Sequence, residues 1–179
     1  LRSLILLRHA EPARRYSGVD DHARELTPRG IEDARELARH LLEMGQIPER
    51  VLCSTARRTR QTWLRLEDVW STVGHFPVLR FDDALYLASA ERILDEVRLV
   101  DAACEHLMVL GHNPGIHHLA VELAREDVTD VRPLERLREG MTPGTAVVLD
   151  FEKPTWLDVT WHTGVAVDVV RPADLRSES

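Results

Sequence analysis

Along this 179-residue chain, short runs of consecutive apolar residues alternate with longer stretches in which apolar residues return every three or four positions. "LILL" (Leu4 to Leu7), "VLCS" (Val51 to Ser54) and "LMVLG" (Leu107 to Gly111) are near-continuous, the pattern of short strands buried on both faces. Between them the period lengthens. Thr27-Pro28 offers a hydroxyl cap followed by proline at the first helical position. Ile31, Ala34, Ala38, Leu41 and Leu42 then share one face, and Gly45 stands where a helix would stop. A second helix is predicted after the second strand, with Thr62, Trp63, Leu66, Val69 and Trp70 inward. A third covers Ala90 to Ala103, and a fourth runs from Pro114 through Ala124. Near the end, "TAVVLDF" and "TWLDVTWH" flank Glu152-Lys153-Pro154 and read as an antiparallel strand pair. Strands alternating with helices predict a three-layer α/β/α sandwich. Its sheet is mostly parallel, with the antiparallel pair added at the C-terminal end. No repeat or linker divides the chain, so residues 1–179 are expected to form one domain.

Composition narrows the partners. The content is 44% hydrophobic and 30% charged, ordinary for a globular protein, and the net charge of -7 argues against a nucleic-acid groove or an anionic membrane surface. No apolar run approaches the roughly 18 residues of a membrane span, and no signal-peptide pattern opens the chain. Lys153 is the only lysine, so positive charge is carried by arginine, whose planar fork suits phosphate. Cys53 and Cys104 both sit in apolar segments; a reduced, cytoplasmic protein is the expectation.

Each of the three buried strands ends in a polar cluster: Arg8-His9, then "CSTARRTRQT" with Arg57, Arg58 and Arg60, then "GHNPG" with His112 and Asn113. In a parallel sheet these ends share one edge, where ligands bind. Taken singly each has a plain structural reading: a solvated turn, a solvated helix face, a core histidine, a helix cap before Pro114. Taken together, two histidines, arginines and two helix starts make a site for a divalent oxyanion. Two other chemistries fit less well. A cysteine phosphatase needs an arginine six residues after Cys53, and that position is Thr59. A metal site from His112, His117 and His118 fails because adjacent helical residues point about 100° apart, with no carboxylate completing a ligand set.

These residues resemble the histidine phosphatase superfamily, with its phosphoglycerate mutase-like fold, and most closely its small SixA-like phosphohistidine phosphatase branch. "LLRHAEP" is similar to that branch's opening motif, "ELTPRG" to its Leu-Thr-x-x-Gly segment, and "STARRTRQT" to its Ser-x-x-x-Arg-x-x-Gln-Thr stretch. "LGHNPG" is similar to its second histidine motif, and "LYLAS" (Leu85 to Ser89) sits where the family has similar residues. The likeness runs from Leu4 to about Phe151. It implies that His9 is the nucleophile, that Arg8, Arg58 and His112 complete the catalytic set, and that Arg8, Arg58, His112 and Asn113 hold the phosphoryl group. It implies neither metal nor other cofactor. The residues suit these roles: phosphoryl transfer needs positioning and charge stabilisation, and nearby cations keep an imidazole neutral and nucleophilic.

Larger relatives that cleave phosphate esters carry an acid before the second-histidine strand. Asp82, Asp83 and, near the nucleophile, Glu11 are the candidate proton donors here. The leaving group matters. Imidazole has a pKa of about 6.5, while an alkoxide resembles water near 15.7, a gap on the order of 12 kcal/mol only part of which is felt in the transition state. A phosphohistidine in a protein therefore needs little acid help and is the expected substrate. A small phosphate ester, or a non-catalytic phospholigand module, are the alternatives. The sequence leaves the oligomeric state open and is compatible with a monomer.

Overall fold

A computed structural model describes residues 1–176. Six strands form one sheet in the order β3-β2-β4-β1-β5-β6. They are β1 (Arg2–Arg8), β2 (Arg50–Ser54), β3 (Val78–Asp82), β4 (His106–Gly111), β5 (Ala146–Phe151) and β6 (Val165–Val170). The first four in sequence run parallel; β5 is antiparallel to both β1 and β6. The helices are α1 (Pro28–Glu43), α2 (Arg57–Trp70), α3 (Ala90–Arg98), α4 (Gly115–Leu123), α5 (Val131–Arg138) and α6 (Pro172–Arg176). None of the described helices is long and apolar enough to cross a membrane.

The continuous apolar run of β1 feeds two cores at once, because successive strand residues face opposite sides. Leu4 and Leu6 join Leu107, Val109 and the inner faces of α3, α4 and α5. Ile5 and Leu7 join Met108, Leu110 and the inner faces of α1, α2 and α6. This is the three-layer sandwich. Full burial of each such side chain contributes roughly 1.5–3 kcal/mol relative to exposure. α1 begins as its sequence predicts, with Thr27 accepting from the Gly30 N–H and proline following the cap. Gly45, at φ 68°, takes the left-handed turn after its end.

Several elements differ from expectation; α5 and α6 carry no counterpart among the predicted helices. The segment "TWLDVTWH" is not a strand. Asp158 accepts from both the Thr155 N–H and its hydroxyl, winding a short 3₁₀ turn that buries Trp156, whose indole donates to the Cys104 carbonyl. The partner of β5 is instead the β-branched run of β6. α3 stops at Arg98 rather than Ala103, because Asp101 bonds the Ala103 and Cys104 N–H groups in a turn of its own. β3, an edge strand with a half-solvated pattern, carries none of the continuity that marks the central strands.

One close approach fixes the rim of the site. A Cβ on Gly115 would lie 1.8 Å from the Ala88 carbonyl oxygen, so only glycine lets the start of α4 press against the 85–89 segment. That contact holds Tyr86 and Leu87 beside the carboxyl end of β4.

Candidate active site

Strand register assembles the centre. Arg8 pairs with Gly111, and the His9 N–H donates to the Gly111 carbonyl, so His9 and His112 leave neighbouring strands side by side. Their rings lie 5.4 Å apart. β2, on the far side of β4, brings Ser54 to the same edge, where its hydroxyl meets His112 Nε2 at 2.7 Å. α2 follows at once and contributes Arg58 from its first turn. His9, His112 and Arg58 are 4%, 2% and 3% exposed, yet all three line a cavity of about 480 Å³ together with Arg8 and Asn113. The structure thus brings together five of the seven residues in the strand-end clusters, the five to which the family resemblance gave a role.

A local hydrogen bond sets the His9 tautomer. His9 Nδ1 donates to the Ala10 carbonyl at 2.7 Å, which leaves Nε2 with its lone pair. The Ala10 peptide is itself anchored, its N–H on the Thr62 hydroxyl. Ser54 Oγ accepts from the Ala56 N–H and meets His112 Nε2 in a hydrogen bond that either atom can donate. His112 Nδ1 is buried and lacks a hydrogen-bond partner within the protein. Asn113 donates to the Met141 carbonyl, as does Arg8, and the Asn113 Oδ1 is likewise buried without a partner.

Burial, above all, pushes the His9 imidazole down to about 3; Arg58 and Arg8 push in the same direction, against the Ala10 bond. Burial also takes His112 to about 3, helped by His9 and Arg58. Both rings are therefore neutral at pH 7. In the unfolded chain each takes up a proton near its ordinary value of about 6.5, while the folded rings stay neutral until pH 3 is approached. Stability therefore falls as pH drops through this window, by on the order of 2 kcal/mol per ring at pH 5. Denaturant titrations at pH 7 and pH 5 check this. The His9→Gln/His112→Gln double variant is expected to lose much less over that interval, and an equal loss rejects the assignment.

Other predicted residues go elsewhere. Asp82 caps the Ala84 N–H and pairs with Arg80; Asp83 accepts from the Thr55 hydroxyl; Glu11 accepts from Thr27. None of these candidate proton donors lines the cavity, because local turns and caps consume their oxygens. Arg57 pairs with Glu25, and Arg60 lies over the Phe81 ring, so neither faces the site. His117 bonds the Leu137 carbonyl. Among the described residues no three His, Cys, Asp or Glu side chains cluster as a metal-ligand set. Burial pushes the Cys53 thiol up to about 12, consistent with a strand residue rather than a nucleophile.

The acid that does reach the cavity is Asp21, which sequence reasoning missed. It sits in the 13–25 loop, whose base is closed by the Pro12–Leu26 bridge and by Gln61 accepting from the Leu26 N–H. Arg58 holds Asp21 twice, through its backbone carbonyl at 2.8 Å and its carboxylate at 3.2 Å. Arg24 and the Tyr86 hydroxyl also donate to the carboxylate. The Tyr86 hydrogen bond, followed by those arginines, holds Asp21 well below the usual carboxylate range. Arg15, Arg24, Tyr86 and Leu87 complete the mouth. Tyr86 belongs to the "LYLAS" segment, the one hint of it in the sequence.

Relatives agree with this geometry. The histidine phosphatase superfamily (branch 1) profile matches residues 4–78. An uncharacterized protein of Mycobacterium tuberculosis is 35% identical over 144 residues, which span 79% of this chain and 85% of the relative. The structure of a candidate phosphohistidine phosphatase SixA from Nakamurella multipartitia superposes with a TM-score of 0.79 at 32% identity, over 96% of each chain. A candidate SixA from Agrobacterium tumefaciens gives a TM-score of 0.78 at 26% identity, over 96% of this chain and 98% of its own. With its motifs at one sheet edge and these relatives over nearly its full length, the chain belongs to the histidine phosphatase superfamily, in the SixA-like branch.

Proposed function

We propose that this phosphatase hydrolyses phosphohistidine in proteins, through a covalent phosphoryl group on His9. The observation that carries the reading is the hydrogen bond from His9 Nδ1 to the Ala10 carbonyl. It places the lone pair on Nε2, in a ring that burial keeps neutral, which is the state a nucleophile needs.

The chemistry closes without outside help. The Nε2 pair forms a bond to phosphorus, and the bond from phosphorus to the substrate nitrogen breaks, its electrons returning to that ring. His9 keeps its Nδ1 proton on Ala10 throughout. Water then attacks phosphorus, the Nε2 pair returns to His9, and the water proton leaves with phosphate. Arg8 and Arg58 supply planar donors for the equatorial oxygens, and the His112 ring faces the same cavity. No step calls for a metal. The candidate acids do not line the cavity, and Asp21 is held ionised, so no carboxylic acid among the described lining residues offers a proton to an alkoxide. That supports the imidazole leaving group over an alkyl ester. The exposed rim, with Leu87 54% exposed, leaves the entrance open to a side chain on a protein surface.

The test compares a phosphohistidine protein with a panel of phosphate esters, with chelator present. The expected result is kcat/KM at least about 100-fold higher on phosphohistidine than on any alkyl phosphate, with para-nitrophenyl phosphate in between because its leaving group is activated. Faster turnover of an alkyl phosphate rejects the reading.

A further inference from the structure

We propose that Asp21 is a specificity-determining residue that accepts the distal ring N–H of a substrate imidazole and so selects phosphohistidine over phosphate esters. The inference rests on the function proposed above and names the part of the site that recognises the leaving group.

In that reaction the phosphoryl group passes between two imidazoles, and both rings have the same requirement. A ring that loses phosphorus as neutral imidazole must carry a proton on its other nitrogen. For His9 the site provides an acceptor for that proton, the Ala10 carbonyl. A substrate ring arriving from solvent needs an equivalent acceptor on the cavity wall. Of the described residues lining the cavity, Asp21 is the only carboxylate.

Its bonding leaves room for this. A carboxylate offers about four lone-pair directions. Arg24 donates to Oδ1, while Arg58 and the Tyr86 hydroxyl donate to Oδ2, so one direction on Oδ1 remains. The side chain is 22% exposed, open to the cavity yet held from three sides. The same three donors keep it ionised, so it stabilises a protonated ring but has no proton to give. A protonated phosphohistidine ring gains a charge-assisted hydrogen bond there. When the bond from phosphorus to nitrogen breaks, its electron pair neutralises the ring, and the distal proton stays on the departing imidazole. A phosphate ester presents no such cation; its developing alkoxide would face a fixed negative charge. One residue thus favours the first leaving group and disfavours the second.

The discriminating experiment measures kcat/KM on phosphoimidazole and on para-nitrophenyl phosphate for wild type, Asp21→Asn and Asp21→Ala. Each ratio is taken on one preparation, so a loss of folded protein cancels. The ratio of phosphoimidazole to para-nitrophenyl phosphate is expected to fall at least about tenfold in Asp21→Asn and at least as far in Asp21→Ala. An unchanged ratio, with both substrates slowed equally, overturns the proposal: Asp21 then only positions Arg58. A wild type that turns over para-nitrophenyl phosphate but not phosphoimidazole instead overturns the phosphohistidine reading itself, and this inference falls with it.

Discussion

His9→Ala is expected to lower turnover by about 10⁴-fold or more while the fold and most of the phosphate affinity survive. The loss is large because in a covalent route no neighbour can replace the nucleophile. Burial has already raised the Cys53 thiol to about 12, and Ser54 has its hydroxyl committed to His112. Binding persists because the other groups that line the phosphoryl cavity, on Arg8, Arg58 and His112, remain. The fold persists because β1 is held by its full ladder to β4 and β5, not by the His9 ring. Removing the ring leaves the Ala10 carbonyl without its donor, a local cost of about 1–3 kcal/mol unless water enters. Rapid-quench trapping with labelled substrate should place phosphorus on His9 of the wild type, as an acid-labile phosphoramidate. Label on Cys53, or robust turnover by the alanine variant, rules out the mechanism. A variant that binds phosphate no better than unfolded protein shows that His9 held the site together instead.

How much of this was readable in advance depends on where each residue's position is decided. β1, β2 and β4 were legible because burial on both faces demands a continuous apolar run, and few other structures do. Their parallel order then put Arg8-His9, Arg58 and His112-Asn113 on one edge without further information. Elements at the margins were less legible for the opposite reason. β3 is half solvated, so its side chains follow no strong rule. Trp156 resembled a strand residue because it is large and apolar, but it fills the base of one core from a 3₁₀ turn. The acids failed in both directions. Asp82 and Asp83 lie in sequence where an acid was sought, yet hydrogen bonds to the adjacent turn and to Thr55 hold them outside the cavity. Asp21 comes from a loop without periodicity. Its place is set by Arg58, 37 residues away, and by Tyr86, 65 away, so no local pattern could reveal it. Side chains placed by strand register can be inferred from sequence; those placed by a long-range ionic contact need the structure.

Arg58→Ala is expected to raise KM and lower kcat together, with kcat falling on the order of 10²- to 10³-fold. Arg58 carries more than one charge's worth of organisation. It is buried at the start of α2, its guanidinium lies 5.9 Å from the Tyr86 ring centre, and it fixes Asp21 by two bonds while lining the phosphoryl cavity. Truncation removes the donors offered to the equatorial oxygens in both ground and transition states, which raises KM as well as the barrier. It also leaves the Asp21 carboxylate, still bonded by Arg24 and Tyr86, with one cation fewer between it and an incoming dianion. Both effects weaken phosphate binding, so the loss should exceed that of a lone phosphate contact. Arg58→Lys is expected to recover only a small part, because a single ammonium cannot reach the Asp21 carbonyl, its carboxylate and a phosphoryl oxygen in one plane. The pH profile separates this from a general collapse of the site. Arg58 is one cause of the low value of His9, but burial is the larger one. The His9 titration in Arg58→Ala should therefore rise from about 3 yet remain below 6.5, as followed by NMR of the ring. A His9 that titrates near 6.5 in this variant means the cavity has opened to water, and the kinetic loss is then structural. A variant with unchanged KM shows that Arg58 does not touch phosphate, and its assigned role is wrong.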